Sequence, residues 1–369
     1  MSDNPFGPMF GDLARLLGAQ GPGAWFDTAT QLATSIARGE DGDPNPDPLE
    51  RQRLEELSTL VARHVDDLFG VAREPELVVT NRVGLATAAL TQWRPLMEPA
   101  LAATALPDLG ADPAFAQMAR LMGPLFAGFQ LGSAAGHLTE RAWSLAVIPL
   151  PRHDGSSWVV AANLSAFADS WSLTHDEVDV FALAQEFAAA TVLTRPGTGD
   201  ALRALLLDTI REAQAVQGDL LGKIQGLLEG GDPAQALSDP AALLEGIDLP
   251  DDSPATRAIN AATAALGAVF ELAAHEVTTR LLGPRPVLAE AVRRHRLSDA
   301  RGEEAASALF GIAARGDHHE RASAFAADLA RNHGFSAFSA LLRVDGLPSD
   351  DELDDPARWW RRVSTSPLA

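Results

Sequence analysis

Glu271, His275 and Glu276, within Ala268–Val277 (AVFELAAHEV), are the side chains whose types and spacing most invite chemistry. His275-Glu276-Val277-Thr278-Thr279 begins like HExxH, in which two histidines four apart on one helical face bind zinc and the glutamate takes a proton from the metal-bound water. Its final ligand position holds Thr279, and threonine is a rare zinc ligand, so the segment is not a conventional zinc motif. Glu271 and His275 are also four apart and share a helical face. That spacing serves either a carboxylate–imidazole pair that hydrogen-bonds and fixes helices, or part of a divalent metal site. His318-His319-Glu320 is a second cluster, but adjacent helical residues project about 100° apart, so the two imidazoles alone do not chelate. His64 falls on an apolar stripe with no second ligand one turn away and reads as a core histidine. Ser133, His137 and Glu140 read as helical surface or packing. No phosphate-binding loop, dinucleotide fingerprint or GxSxG elbow occurs.

The inventory narrows the choice further. There are no cysteines, which excludes disulfides, thiolate metal sites and cysteine nucleophiles and points to the cytoplasm. A formal charge of −21 argues against nucleic acid as the main partner, because that affinity rests on basic side chains neutralising phosphates. The N-terminus lacks the basic start and apolar run of a signal peptide. No run approaches the roughly 18 consecutive apolar residues of a membrane span, so neither secretion nor a membrane partner is expected. A single lysine, Lys223, among 29 basic residues, with abundant alanine and no tyrosine, matches the codon bias of a GC-rich genome.

The elements that must position these groups are mostly helical. Asp12–Leu17 and Trp25–Ala37 read as short amphipathic stretches of an N-terminal arm. The acidic, Pro- and Gly-rich Gly39–Pro48 follows as a linker or exposed loop. Apolar residues at three and four spacing predict a helix over Leu49–Gly70, and another covers Arg82–Leu101 with a break or kink at Pro95. Residues 112–138 read as helical, with Gly128, Gly132 and Gly136 lining one face so that another helix can approach closely. Trp143–Leu150 and Trp158–Leu164, around an Asp154-Gly155 turn, predict a β-hairpin. Thr174 and Glu177 form a capping box that opens a helix over His175–Leu193. Residues 230–254 read as an acidic exposed stretch, and a further helix runs from Ser253 or Thr256 to Leu282. Trp359 and Trp360 read as packing anchors. The expected organisation is an arm and linker over 1–48, a helical part over 49–142, and a third part over 143–369.

In this order, Phe126–Gly136 (FAGFQLGSAAG), Val159–Leu193, Ala268–Val277, Leu288–Ile312 and Asp351–Trp359 resemble the zincin-like proteins of high-GC, actinobacterial bacteria. Members of that family are described as zinc-dependent metalloproteases, as hydrolases or as proteins associated with deazaflavin coenzyme biosynthesis. The resemblance covers roughly the last two-thirds of the chain. It implies a mainly α zincin-like fold with one small β-hairpin or sheet element, in which the helix 175–193 packs against the helix 256–282.

In the family, the first of these helices carries HExxH and the second a glutamate ligand. The matching pentad here is Gln185-Glu186-Phe187-Ala188-Ala189. Glu186 is the general-base counterpart, while Gln185 and Ala189 replace both histidines. Glu271 matches the third ligand, and His275 takes the place of an aspartate. The resemblance therefore implies a pseudo-enzyme without cofactor that binds a protein or peptide through a remnant cleft. The alternative is a metal-dependent hydrolase or peptidase in which Glu186, Glu271 and His275 form a rearranged site for zinc or another divalent ion. The glycine-lined face also raises the possibility of a homo-oligomer.

Overall fold

The computed structural model describes residues 24–40, 42–103, 127–212, 253–297, 310, 312 and 317–365. The expected stretch Asp12–Leu17, the first part of 112–138 and most of 230–254 lie outside the described residues.

Helix α1 (Ala24–Arg38) is amphipathic and buries Trp25, Ala29, Ala33 and Ala37. The acidic segment that follows is not idle. Asp43 accepts hydrogen bonds from the backbone N–H groups of Arg82 and Val83, and Asp47 caps α2 (Pro48–Phe69) by accepting from Leu49 N at 2.7 Å. Carboxylates at helix N-termini satisfy orphan donors and oppose the positive end of the helix dipole. The second capped helix, α3 (Arg82–Ala103), continues through Pro95 and Pro99, so of the expected break or kink at Pro95 the break does not occur.

Two strands, β1 (Glu76–Thr80) and β2 (Ser156–Val160), pair in parallel with Glu76 opposite Ser156 and Thr80 opposite Val160. The expected hairpin is therefore corrected. Trp143–Leu150 supplies only an isolated antiparallel bridge from Ser144 to Val159 and a 3-10 turn, Leu145–Val147. Pro149 removes a ladder donor from that segment, and Ala146 N is drawn away to a side chain. The second expected strand stops at Val160, where Ala161 and Ala162, good helix formers, open α4 (Ala161–Trp171).

Helix α5 (His175–Leu193) opens with the expected box, Thr174 N donating to Glu177 Oε2 and Glu177 N to Thr174 Oγ1. It is buried nearly all round, from Val178 to Leu193. Helix α6 (Pro254–Leu282) packs along it and buries Ile259, Leu266, Val269, Phe270 and Val277. By length and composition α6 alone among the described helices could cross a membrane, but most of it is packed inside the protein. Helices α7 (Pro286–Leu297), α8 (Asp317–His333), α9 (Asp350–Asp354) and α10 (Pro356–Thr365) complete the described fold, with residues 196–212 also helical. Trp359 is fully buried on Phe325 and donates its indole N–H to Gly346 O.

Residues 127–138 are helical, and their glycine-lined face meets α1. A Cβ on Gly128 would lie 2.4 Å from Trp25 O, and one on Gly132 2.5 Å from Ala29 O. The close-packing partner of that face is thus a helix of the same chain, and the glycines supply no free surface for a second copy.

Candidate functional site

Glu186 lies two residues past the middle of α5 with a side chain that is fully buried. Its carboxylate accepts four hydrogen bonds. Arg152 grips it with both ends of its guanidinium, Nη1 to Oε1 at 2.6 Å and Nη2 to Oε2 at 2.9 Å. Trp158 N in β2 donates to Oε1 at 3.0 Å, and Ala146 N in the 3-10 turn to Oε2 at 3.1 Å. Bidentate, charge-assisted geometry of this kind is the strong form of hydrogen bonding, and it leaves no lone pair aimed at a reactant. Arg73 sits close by, its Nη2 bonded to Ser157 Oγ. Burial, and then the charge of Arg152, lower the pKa of its guanidinium. The carboxylate therefore ties α5 to β2 and the turn before it.

Gln185, half-buried on the adjacent face, accepts a hydrogen bond from Trp143 Nε1 at 3.1 Å, and Ala189 is completely buried. Across from them on α6, Glu271 is bound by Arg296 of α7. His275 Nε2 stands 4.0 Å from Glu271 Oε1, too far for the expected hydrogen bond, and its ring rests against Phe181 at 4.8 Å. Burial lowers the His275 pKa, Glu271 pulls it back up and Arg296 lowers it again, leaving it below the usual histidine range.

The proposed trio is thus not assembled. Glu186 is engaged by Arg152, Glu271 by Arg296, and His275 makes no hydrogen bond to either. Among the described residues no group of three or more His, Asp or Glu side chains is placed to hold a metal.

A cavity of about 140 Å³ opens over this region, lined by Trp143, Gln185, Glu271, His295, Arg296 and His319 among others. His295 is one of its polar walls. The ring stacks on Trp143 at 5.0 Å and 17°, meets the edge of Phe167, and receives Arg141 Nη2 on Nδ1 at 2.9 Å. Arg141 has only donors, so Nδ1 must be the bare nitrogen and the proton sits on Nε2. Burial and the Arg141 charge push the His295 pKa down to about 4, which keeps the ring neutral. His319, from the second expected cluster, lines the same cavity and its pKa is lowered by burial and by Arg296. His318 instead faces Asp350 at 3.6 Å. His137 and Glu140 form an exposed pair at 2.8 Å.

Sequence reasoning anticipated the α5–α6 contact, and Gln185 and Glu271, which it singled out, line one cavity. It missed Arg152, Arg296, Trp143 and His295. An arginine in a Pro-flanked loop, or inside the run Arg293-Arg294-His295-Arg296, looks like solvated surface. Only the pairing across more than twenty residues gives it away.

A family model described as zincin-like metallopeptidase matches residues 25–360. Among solved structures, a crystal structure of a hydrolase candidate with a novel fold from Chloroflexus aurantiacus superposes with a TM-score of 0.63. The two sequences are 16% identical, with 93% of this chain and 99% of the other covered. A search of curated proteins returned no match. The residues present do not fit the zinc ion that the family name implies. Ala189 has no donor atom, the Gln185 amide oxygen is occupied by Trp143, and Glu271 already carries a guanidinium.

Proposed function

Because the chain belongs to the zincin-like metallopeptidase family, we propose that it is a non-catalytic member that acts in the cytoplasm, binding a protein or peptide segment in the remnant of the zincin cleft without cutting it. The observation that carries this reading is the state of Glu186. A general base must present a lone pair to water, and its hydrogen bonds must be available to the reacting group. Here both oxygens are held by Arg152, Ala146 and Trp158 in a layer from which the side chain is fully excluded from solvent. What remains is a cavity with a mixed polar and apolar wall, the usual character of a recognition pocket.

Peptides carrying an uncharged fluorophore, mixed with the intact protein and followed by anisotropy and mass spectrometry, test the proposal. Binding without cleavage, unchanged by a chelator or by added zinc, is the expected result. Cleavage that a chelator abolishes contradicts it.

A further inference from the structure

We propose that the occupant of the cleft is an acidic peptide segment, recognised by its carboxylate at a set of arginines that join two cavities. This deepens the binding reading above and rests on it. The first cavity, around Trp143 and Gln185, shares Arg141 and His295 with a neighbouring groove of about 440 Å³ that is also lined by Arg82, Phe167, Trp171 and Arg294. Among the described residues, the walls of the two together present Arg82, Arg141, Arg294 and Arg296 against Glu140 and Glu271, an excess of two positive charges. The chain as a whole carries −21, so this concentration of arginine is opposite in sign to the rest of the molecule.

The arginines differ in what already holds them. Arg296 is neutralised by Glu271, and Arg294 pairs with Glu290 on the exposed side of α7. Arg82 donates Nε to Asn163 Oδ1 at 2.9 Å and forms no ion pair among the described residues. Asn163 is itself fixed by donating to Thr139 O and Ala142 O, so the Arg82 guanidinium is anchored by a neutral partner. Arg141 is oriented by His295, which is in turn clamped between Trp143 and Phe167. The Arg82 guanidinium, held in place by a neutral side chain, is suited to bidentate binding of a carboxylate. Half-buried Trp171, packed at the edge of Phe167, adds an aromatic shelf in the same groove for the flanking side chain or backbone of a peptide.

The carboxylate can come from a chain terminus or from an Asp or Glu side chain, and the experiment separates these. Short peptides carrying an uncharged fluorophore are titrated against the intact protein in four forms. One is neutral with a free C-terminal carboxylate, one contains Glu but is amidated at the C-terminus, one is neutral and amidated, and one is Lys-containing and amidated. A labelled oligothymidylate is run beside them. At least one carboxylate-bearing form should bind about tenfold or more tighter than the neutral amidated peptide, with affinity falling as salt is raised. The form that binds identifies the source.

Arg141→Gln should weaken that binding. Arg294→Glu, on an exposed residue with no part in the core, should weaken it about tenfold, with the melting temperature lowered by no more than the loss of one exposed ion pair accounts for. Equal binding of all four peptides overturns the carboxylate inference and leaves the peptide reading standing. Binding of none overturns both. Tighter binding of the oligothymidylate than of any peptide overturns the inference in favour of a phosphate ligand.

Discussion

Glu186 can be a catalytic or a structural carboxylate, and the isosteric change Glu186→Gln tells the two apart. In a working metallopeptidase that change removes the base and leaves the fold almost untouched. Here it puts an amide N–H₂ against the guanidinium of Arg152 and a backbone N–H, all of them donors, inside a fully buried layer. Breaking a buried ion pair from one side costs about 3–5 kcal/mol. We therefore expect denaturant unfolding to show a loss of that order, whereas a change within about 0.5 kcal/mol, the usual surface value, would mean that the carboxylate does not hold the fold.

The residue identities around it were only partly legible. The resemblance set Gln185 and Ala189 where the family has histidines and Glu271 on the facing helix, and the structure places Gln185 and Glu271 on one cavity wall. The replacement of metal charge by arginine was not legible. The sequence distance from Arg152 to Glu186, and from Arg296 to Glu271, carries no periodicity for a local reading to detect.

At the scale of elements, periodic helices were the most readable, because their signal is local. The Thr174–Glu177 box fixes α5 to the residue, and α6 starts at Pro254, between the two starts the sequence left open, and ends at the expected Leu282. The sheet was not readable in its pairing. β1 and β2 are five residues each and lie some eighty positions apart, and a parallel partner leaves no turn chemistry between the strands. The Asp154-Gly155 dipeptide suggested a hairpin that Pro149 disfavours.

The glycine-spaced helix was read correctly as a close-approach face, and the structure supplies the partner, α1. Replacing Gly by Ala inside a helix normally gains about 1 kcal/mol. At Gly132 the new Cβ would sit 2.5 Å from the backbone oxygen of Ala29, which cannot move without shifting α1. Gly132→Ala should therefore lower stability by about 1–3 kcal/mol in a thermal or urea melt. A gain in stability would show that α1 does not pack there in solution.

On the scale of the whole molecule, the α5–α6 pair sets the frame. The two helices pack along each other, and the positions that the resemblance assigns to metal ligands hold Ala189, the Gln185–Trp143 bond and the Glu271–Arg296 pair. The fold survives because it is held by apolar helix packing. Nearly all the described buried apolar residues, from Trp25 to Val363, belong to one hydrophobic cluster. A likeness of fold speaks to architecture before activity, so charge on the cleft decides the functional question. An arginine already neutralises Glu271, and a divalent cation would have to displace that guanidinium before the carboxylate could ligate it. The direct measurement is elemental analysis of protein purified without a chelating tag, after dialysis against zinc and then buffer. The account predicts no stoichiometric metal and no change in melting temperature with added zinc. One tightly held zinc ion per chain, lost in Glu271→Ala, would contradict it.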